Sequence, residues 1–328
     1  MRAALYSRNG PARDVLQVTD LPTPEPGPGE VRVKLAISGV NPSDVKSRAG
    51  SRPVTQGYVV PHSDGAGVID RVGSGVPDSR IGERVWIWNG QYQRPMGTCA
   101  QYIALPAERA VALPDHVSFE AGACMGVPGL TAMQGVILQG DLAGKTVLVT
   151  GGASGVGYYA AQMARLRGAR VITTVGSVEK AKCLEQVGVT DNILYKQEPV
   201  AQRLLEMTDG RGVDGIIDMD FSTTAALVPA GAVARHGVLS VYGSNQRGDI
   251  PVSFGAWMPR SLSLCFFLVY ELRPAERRVA VDTLSGLLRD GKLSHLVAPA
   301  FGLDDIVRAH EAVESGRVLG NVVVALPA

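Results

Sequence analysis

Cysteine is scarce in this 328-residue chain, with four copies at Cys99, Cys124, Cys183 and Cys265. No two of them form a C-x-x-C pair, which excludes a zinc knuckle and a dithiol redox motif. Dispersed thiols suit a reducing compartment, and a chain of this length needs no disulfides to complete its core. An excess of either charge is also missing, since 32 Lys and Arg stand against 31 Asp and Glu. Such a balance, with the signs interspersed, argues against a protein built mainly to bind nucleic acid. Long apolar runs are absent: the most apolar stretch, Leu262 to Tyr270, is far short of the ~20 residues that span a bilayer. The first ten residues lack the apolar core of a signal peptide, so a cytoplasmic location is expected. Glycine, by contrast, is abundant. Its 39 copies follow no G-x-y period, which excludes collagen and points to many tight backbone approaches.

The length predicts about two domains at roughly 150 residues each, and 45% apolar residues are ample for buried cores. Residues 1 to about 120 read as short strands separated by Gly/Pro turns, as in Val31 to Ile37, Gly65 to Gly73 and Ile81 to Ile87. This spacing predicts a mostly β domain. From about residue 121 apolar strands alternate with helical patterns. Thr146 to Thr150, Arg170 to Val175, Asp214 to Met219, Gly237 to Tyr242 and Ser261 to Tyr270 read as buried strands. Tyr158 to Arg167 and Val178 to Val187 read as helices between them, which implies a doubly wound parallel sheet. Val279 to Leu288 and Asp304 to Glu314 follow as amphipathic helices, then Asn321 to Leu326 as a last strand that returns to the first domain. The fold class expected is therefore α/β.

The strongest motif is Gly144-Lys-Thr-Val-Leu-Val-Thr-Gly-Gly-Ala-Ser-Gly-Val-Gly157. An apolar strand runs into a glycine-rich turn and then a helix, so backbone N–H groups and the helix N-terminus can face a pyrophosphate. Gly152 and Gly157 fit the outer positions of G-x-G-x-x-G, while Ser154 takes the middle one. An NAD site normally carries an acid at the end of the next strand for the ribose hydroxyls. Here that place reads Thr173-Thr-Val-Gly-Ser-Val-Glu-Lys180. Gly176 and Ser177 keep it open, Lys180 can reach a 2′-phosphate, and Glu179 suits the first turn of the following helix. The pattern favours NADPH.

With their surroundings, these residues resemble the quinone oxidoreductase (zeta-crystallin) branch of the zinc-independent medium-chain dehydrogenase/reductase superfamily. The resemblance rests on Gly39-Val-Asn-Pro-Ser-Asp44, Asp64-Gly-Ala-Gly-Val-Ile-Asp-Arg-Val-Gly73, Gly126-Val-Pro-Gly-Leu-Thr-Ala132, the glycine turn, Val241-Tyr-Gly-Ser244 and Ala309-His-Glu-Ala-Val-Glu-Ser-Gly316, in order along the chain. It implies a Rossmann NADPH-binding domain over 123–267 inserted into a GroES-like, mostly β catalytic domain made of 1–122 and 268–328, with NADPH in the cleft. It also implies a homodimer through the Ser261–Tyr270 strand. Zinc-dependent relatives use a Cys and a His where this chain has Asn41 and Ser63, and a four-cysteine loop where it has only Cys99, so no zinc is expected. His62 and Asp64 are read as turn and packing residues.

Carried over by position, the resemblance places Asn41 near the nicotinamide, where its amide can bond the ribose or the substrate carbonyl, and Thr131 beside the nicotinamide amide. It assigns Ser154, Gly155 and Val156 to the phosphate turn, Gly176, Ser177 and Lys180 to the 2′-phosphate, and Tyr195 to the adenosine. Ser222, Tyr242, Gly243 and Ser244 follow at later strand ends, Phe266, Phe267 and Leu268 line the nicotinamide side, and Asn321 stands where relatives usually have Lys. Lys46 replaces a tyrosine common in relatives, offering a point charge without a ring: it either binds an anionic group or faces solvent. Tyr58, Tyr92 and Tyr102 are pocket candidates, whereas His116, His236, His295 and His310 read as surface or capping residues. Without a metal, hydride transfer to an already electrophilic quinone or α,β-unsaturated carbonyl is the activity implied, water or a 2′-hydroxyl sufficing as proton source. The alternatives are an enoyl or enal double-bond reductase with little quinone activity, and a low-turnover NADPH-binding structural or RNA-binding protein.

Overall fold

Val31, Val33 and Leu35 alternate with Arg32 and Lys34, so one face of an extended chain is apolar and the backbone pairs as strands rather than coiling. The computed structural model describes residues 1–55 and 57–327, and its contacts divide the chain into two compact units. The first comprises Met1–Pro128 and Ser285–Ala328. It begins with an antiparallel pair, β1 (Arg2–Leu5) and β2 (Gln17–Asp20), followed by β3 (Glu30–Val40), β4 (Asp64–Val72), β5 (Arg84–Ile87), β6 (Tyr102–Pro106) and β7 (Ala110–Ala112). Val31, Val33, Leu35, Ile69, Val85 and Ile103 form the apolar core beneath these strands.

The second unit, Gly129–Leu284, holds β8 (Thr146–Val149), β9 (Arg170–Val175), β10 (Asp191–Leu194), β11 (Val213–Asp218), β12 (Val233–Val241) and β13 (Ser263–Phe266). They form one parallel sheet in the order β10-β9-β8-β11-β12-β13. Helices Gly155–Leu166, Val178–Glu185 and Val200–Met207 lie between successive strands, as parallel pairing requires. The central strand β8 is buried along its whole length, which matches its apolar run Val147–Val149. Strand order reverses between β8 and β11. In open parallel sheets that switch point is where ligands bind, beyond the carboxyl ends of the strands. The chain then returns to the first unit with β14 (Phe301–Gly302) and β15 (Val322–Ala325), and β15 pairs antiparallel with β3. This is the α/β class: a Rossmann sheet together with a mostly antiparallel β unit.

Three details differ from the sequence expectation. The edge strand β10 is an addition; it is short and half-exposed, without the apolar run that marks a buried strand. Only Ser263–Phe266 of the expected Ser261–Tyr270 strand pairs, because Val269 and Tyr270 enter a buried turn and take their apolar character from packing, not pairing. The second unit runs to Leu284 where the sequence reading ended it at 267. Ala280 and Leu284 on the helix Pro274–Arg289 are fully buried, and Arg277 donates to the Val269 carbonyl at 2.5 Å. Among the described residues, no helix is long and apolar enough to cross a membrane.

Candidate active site

The glycine turn after β8 is shaped by close contacts that admit no side chain. A Cβ on Gly157 would stand 2.2 Å from the Gly151 carbonyl oxygen, and one on Gly152 would stand 2.6 Å from Thr173 Cβ. Gly151 itself has a φ of +64°. The turn is tied to β9, with Gly151 N–H donating to Thr174 Oγ1 (3.0 Å) and Gly152 N–H to the Thr174 carbonyl (2.9 Å). Ser154 caps the helix Gly155–Leu166 by accepting from Gly157 N–H at 3.1 Å. Gly155 and Val156 supply the first N–H groups of that helix, which have no intrahelical acceptor, and both are half-buried. The arrangement suits a phosphate.

At the end of β9, Ser177 caps the helix Val178–Glu185, accepting from Lys180 N–H at 3.4 Å. Lys180 is half-buried in the first turn of that helix. The Glu179 carboxylate lies below the usual range because its own backbone N–H and then the Ser177 hydroxyl donate to it. An acid therefore does stand at this strand end, supplied from the helix. Tyr195 lies over Gly176: a Cβ there would be 3.4 Å from Tyr195 Oη.

Beyond the ends of β12 and β13, a hollow of about 370 Å³ is lined by Val241, Tyr242, Gly243, Ser244, Phe266, Phe267 and Leu268. All of these except Val241 were predicted from the sequence. The Tyr242 and Phe267 rings are 6.2 Å apart and tilted, while Phe266 meets Phe221 edge-on at 5.2 Å. Burial, followed by the Asp218 charge, pushes the Tyr242 phenol up; its Oη has no hydrogen-bond partner among the described residues. Ser244 donates to the Gln246 carbonyl at 2.7 Å. Ser222 donates to Asp220 Oδ1 at 2.5 Å, and Asp220 also receives Asn245 N–H and Nδ2, so this serine is engaged within its own loop. Thr131 is buried on the helix Leu130–Leu138.

In the first unit, Asn41 is buried immediately before the helix Pro42–Lys46. Its N–H donates to Asp44 Oδ2 at 2.8 Å, and its Nδ2 donates to Asp64 Oδ2 at 2.8 Å. Asp64 is fully buried, and Val127 N–H donates to both of its oxygens (2.9 and 2.8 Å). Burial pushes both acids up, Asp44 to about 7, against the opposing pull of these hydrogen bonds. Lys46 is exposed at the helix end. Asn321 is buried, its N–H and Nδ2 both donating to the Leu296 carbonyl at 2.9 and 3.3 Å.

The surface role expected for His310 is wrong. Its ring is fully buried and stacks with His62, their Nε2 atoms 2.9 Å apart, while His62 Nδ1 meets Ser38 Oγ at 2.8 Å. Ser38 Oγ is 2.8 Å from Thr98 Oγ1, which donates to the Asp64 carbonyl at 2.5 Å. Sequence reasoning missed this network and the anchoring of Asn41 by Asp64. The only local signal was the density of polar residues in His62-Ser63-Asp64. His116 donates to the Leu288 carbonyl at 3.0 Å, a capping contact. A larger cavity of about 740 Å³ in the first unit has mainly aliphatic walls, and none of the predicted site residues lines it.

Residues 155–286 match the family described as zinc-binding dehydrogenase, and residues 27–115 match the alcohol dehydrogenase GroES-like domain. A quinone oxidoreductase of Pseudomonas aeruginosa is 32% identical over 95% of each chain. The crystal structure of an NAD-dependent alcohol dehydrogenase superposes with a TM-score of 0.88 at 30% identity, covering 100% of both chains. Escherichia coli quinone oxidoreductase complexed with NADPH superposes with a TM-score of 0.83 at 25% identity, covering 99% of this chain and 100% of that one. A Rossmann sheet joined to a GroES-like unit defines a medium-chain dehydrogenase/reductase. Within that superfamily the chain belongs to the quinone oxidoreductase branch and is an oxidoreductase.

The residues here do not fit a zinc ion. Asn41 and Ser63 stand at the relatives' ligand positions, His62 is spent on Ser38 and His310, and Asp64 on Val127 and Asn41. Among the described residues, no three His, Cys, Asp or Glu side chains come together. A dinucleotide does fit, because the turn presents the first N–H groups of the helix Gly155–Leu166, which have no intrahelical acceptor, to a phosphate.

Proposed function

We propose that this enzyme uses NADPH, without zinc, to reduce a quinone or an α,β-unsaturated carbonyl. The carrying observation is the capped glycine turn in the same unit as an aromatic-lined hollow at the strand ends. NADPH supplies the hydride when bound. Ser154, Gly155 and Val156 hold the pyrophosphate, Gly176, Ser177 and Lys180 the 2′-phosphate, and Tyr195 the adenosine. Ser222 supports the loop beside the hollow by bonding Asp220. Tyr242, Gly243, Ser244, Phe266, Phe267 and Leu268 shape a surface on which the nicotinamide rests and from which water is displaced. Thr131 meets the nicotinamide amide, and Asn41 meets the ribose or the substrate. Lys46, being exposed, is left to attract an anionic substituent. Asn321 acts by holding the Leu296 segment. A quinone or enone is already electrophilic, so the protein need only orient it, and water completes protonation.

Glu179 beside Ser177 is the one feature that opposes a 2′-phosphate, but it is exposed, so its bond to Ser177 can be exchanged for water when the phosphate binds. The test is an initial-rate panel of quinones and enones with NADPH and with NADH, on the wild type and on Lys180→Ala. Lys180→Ala should raise the NADPH KM about tenfold, the scale of one lost exposed charge-assisted contact, and leave NADH unaffected. Equal use of both cofactors, or an unchanged NADPH KM, rejects the cofactor assignment. No turnover of any quinone or enone rejects the reaction.

A further inference from the structure

We propose that Asp64 is a positioning residue that sets the orientation of the Asn41 carboxamide. This rests on the reading of Asn41 as an active-site group. An amide side chain has two ends of nearly equal size, one donating and one accepting, so packing alone cannot say which end faces where. Asp64 breaks that symmetry. Val127 N–H donates to both of its oxygens from one side, and Asn41 Nδ2 donates to Oδ2. Both Asp64 oxygens are thus engaged as acceptors, so the NH2 end of Asn41 faces them, and the opposite rotamer would set the amide oxygen against an oxygen already facing the Val127 N–H.

Asp64 is itself immobilised. A Cβ on Gly126 would lie 2.1 Å from Asp64 Oδ1, so only glycine lets this backbone approach the carboxylate. Behind it, the Thr98 hydroxyl holds the Asp64 carbonyl, and Asp44 fixes the Asn41 backbone N–H. Asn41, Asp44, Asp64 and Thr98 are buried, so water offers them no alternative partner, and a wrong amide orientation would leave buried polar atoms unpaired. The change Asp64→Asn is isosteric but halves the acceptors. In either orientation its NH2 faces the Val127 N–H, and its single oxygen must serve both Val127 and Asn41, so the hold on the Asn41 amide is weakened.

The experiment combines two readouts on the intact protein. With [15N]asparagine labelling, and the Asn41 signal assigned by its loss in Asn41→Ala, wild type should show a side-chain amide protected from solvent exchange. In Asp64→Asn that signal should shift and lose protection while the circular dichroism spectrum stays unchanged. NADPH-dependent reduction of 1,4-benzoquinone should fall about 10- to 100-fold in kcat/KM, the cost of misplacing one active-site group. The double variant Asp64→Asn/Asn41→Ala should be no worse than the poorer single variant, whereas a purely structural Asp64 would give losses that multiply.

A freely exchanging Asn41 amide in wild type, or an unchanged signal in Asp64→Asn, overturns the proposal. So do multiplying losses. If Asp64→Asn fails to fold, the wild-type exchange measurement decides alone. Full activity in Asn41→Ala with a protected wild-type amide rejects the active-site role of Asn41 but supports the anchor.

Discussion

His62 and His310 show how much a single hydrogen direction can settle. If His310 Nε2 donates to His62, then His62 Nδ1–H donates to Ser38, Ser38 to Thr98, and Thr98 to the Asp64 carbonyl, so every hydrogen is used. The reverse direction leaves a buried His310 Nδ1–H without an acceptor, and two hydroxyl oxygens facing each other without a proton. Both rings are therefore neutral in the fold. Burial lowers His310 to about 3, assisted by the Arg48 charge, and lowers His62 well below its usual value, assisted by His310. Below about pH 6.5 the unfolded chain gains protons that the fold refuses, so the pair's contribution is complete above that pH and is lost as pH falls. Asp44, raised to about 7, titrates with the opposite sign between its unfolded value near 4 and 7, so the histidine effect must be isolated by difference. The stability advantage of wild type over His310→Asn should shrink by about 2 kcal/mol between pH 6.5 and pH 5, at roughly 1.4 kcal/mol per pH unit. Urea titrations at the two pH values measure it. A constant difference would mean that His310 is not buried neutral. Nothing local in the sequence pairs residues 248 positions apart, which is why His310 read as a surface residue.

The β8–turn–helix element was legible because its determinants are neighbours in the chain. An apolar strand, Gly151, Gly152 and Gly157 at fixed offsets, and Ser154 at the cap are readable without knowing anything distant. Gly157→Ala should destroy the turn, since the new methyl would meet the Gly151 carbonyl at 2.2 Å. The expected cost is about 1–3 kcal/mol of stability, the usual range for forced overpacking, together with loss of NADPH binding by fluorescence titration. Retained affinity would detach the turn from the cofactor. The Ser261–Tyr270 segment shows the opposite case. A short apolar run is compatible with pairing or with packing, and the choice depended on whether Val269 and Tyr270 found a buried turn.

For the molecule as a whole, the consequence of that segment is an edge. β13 has a sheet neighbour on one side only, and Phe266 and Leu268 are 63% and 48% exposed beside it. An open apolar edge invites pairing, so we expect a homodimer through Ser263–Phe266. Light scattering should give a mass near twice 34.5 kDa, and a single-subunit mass would reject this assembly. The division into two units was readable from the change in periodicity near residue 121, but its second boundary was not. The helix Pro274–Arg289 crosses from one unit to the other, and sequence periodicity does not say where along a helix the partner changes.

Local pattern alone carried the α/β class and the phosphate turn, because each depends on residue type and near-neighbour spacing, whereas the reading of Asn41 and Ser63 as replacing zinc ligands came through the family resemblance. The Asp64–Asn41 anchor, the His62–His310 pair and the acid that Glu179 brings to Ser177 came only with the folded chain. Hydrogen bonds of this kind depend on strand register and on which rotamer burial permits, and neither leaves a periodic trace in the sequence.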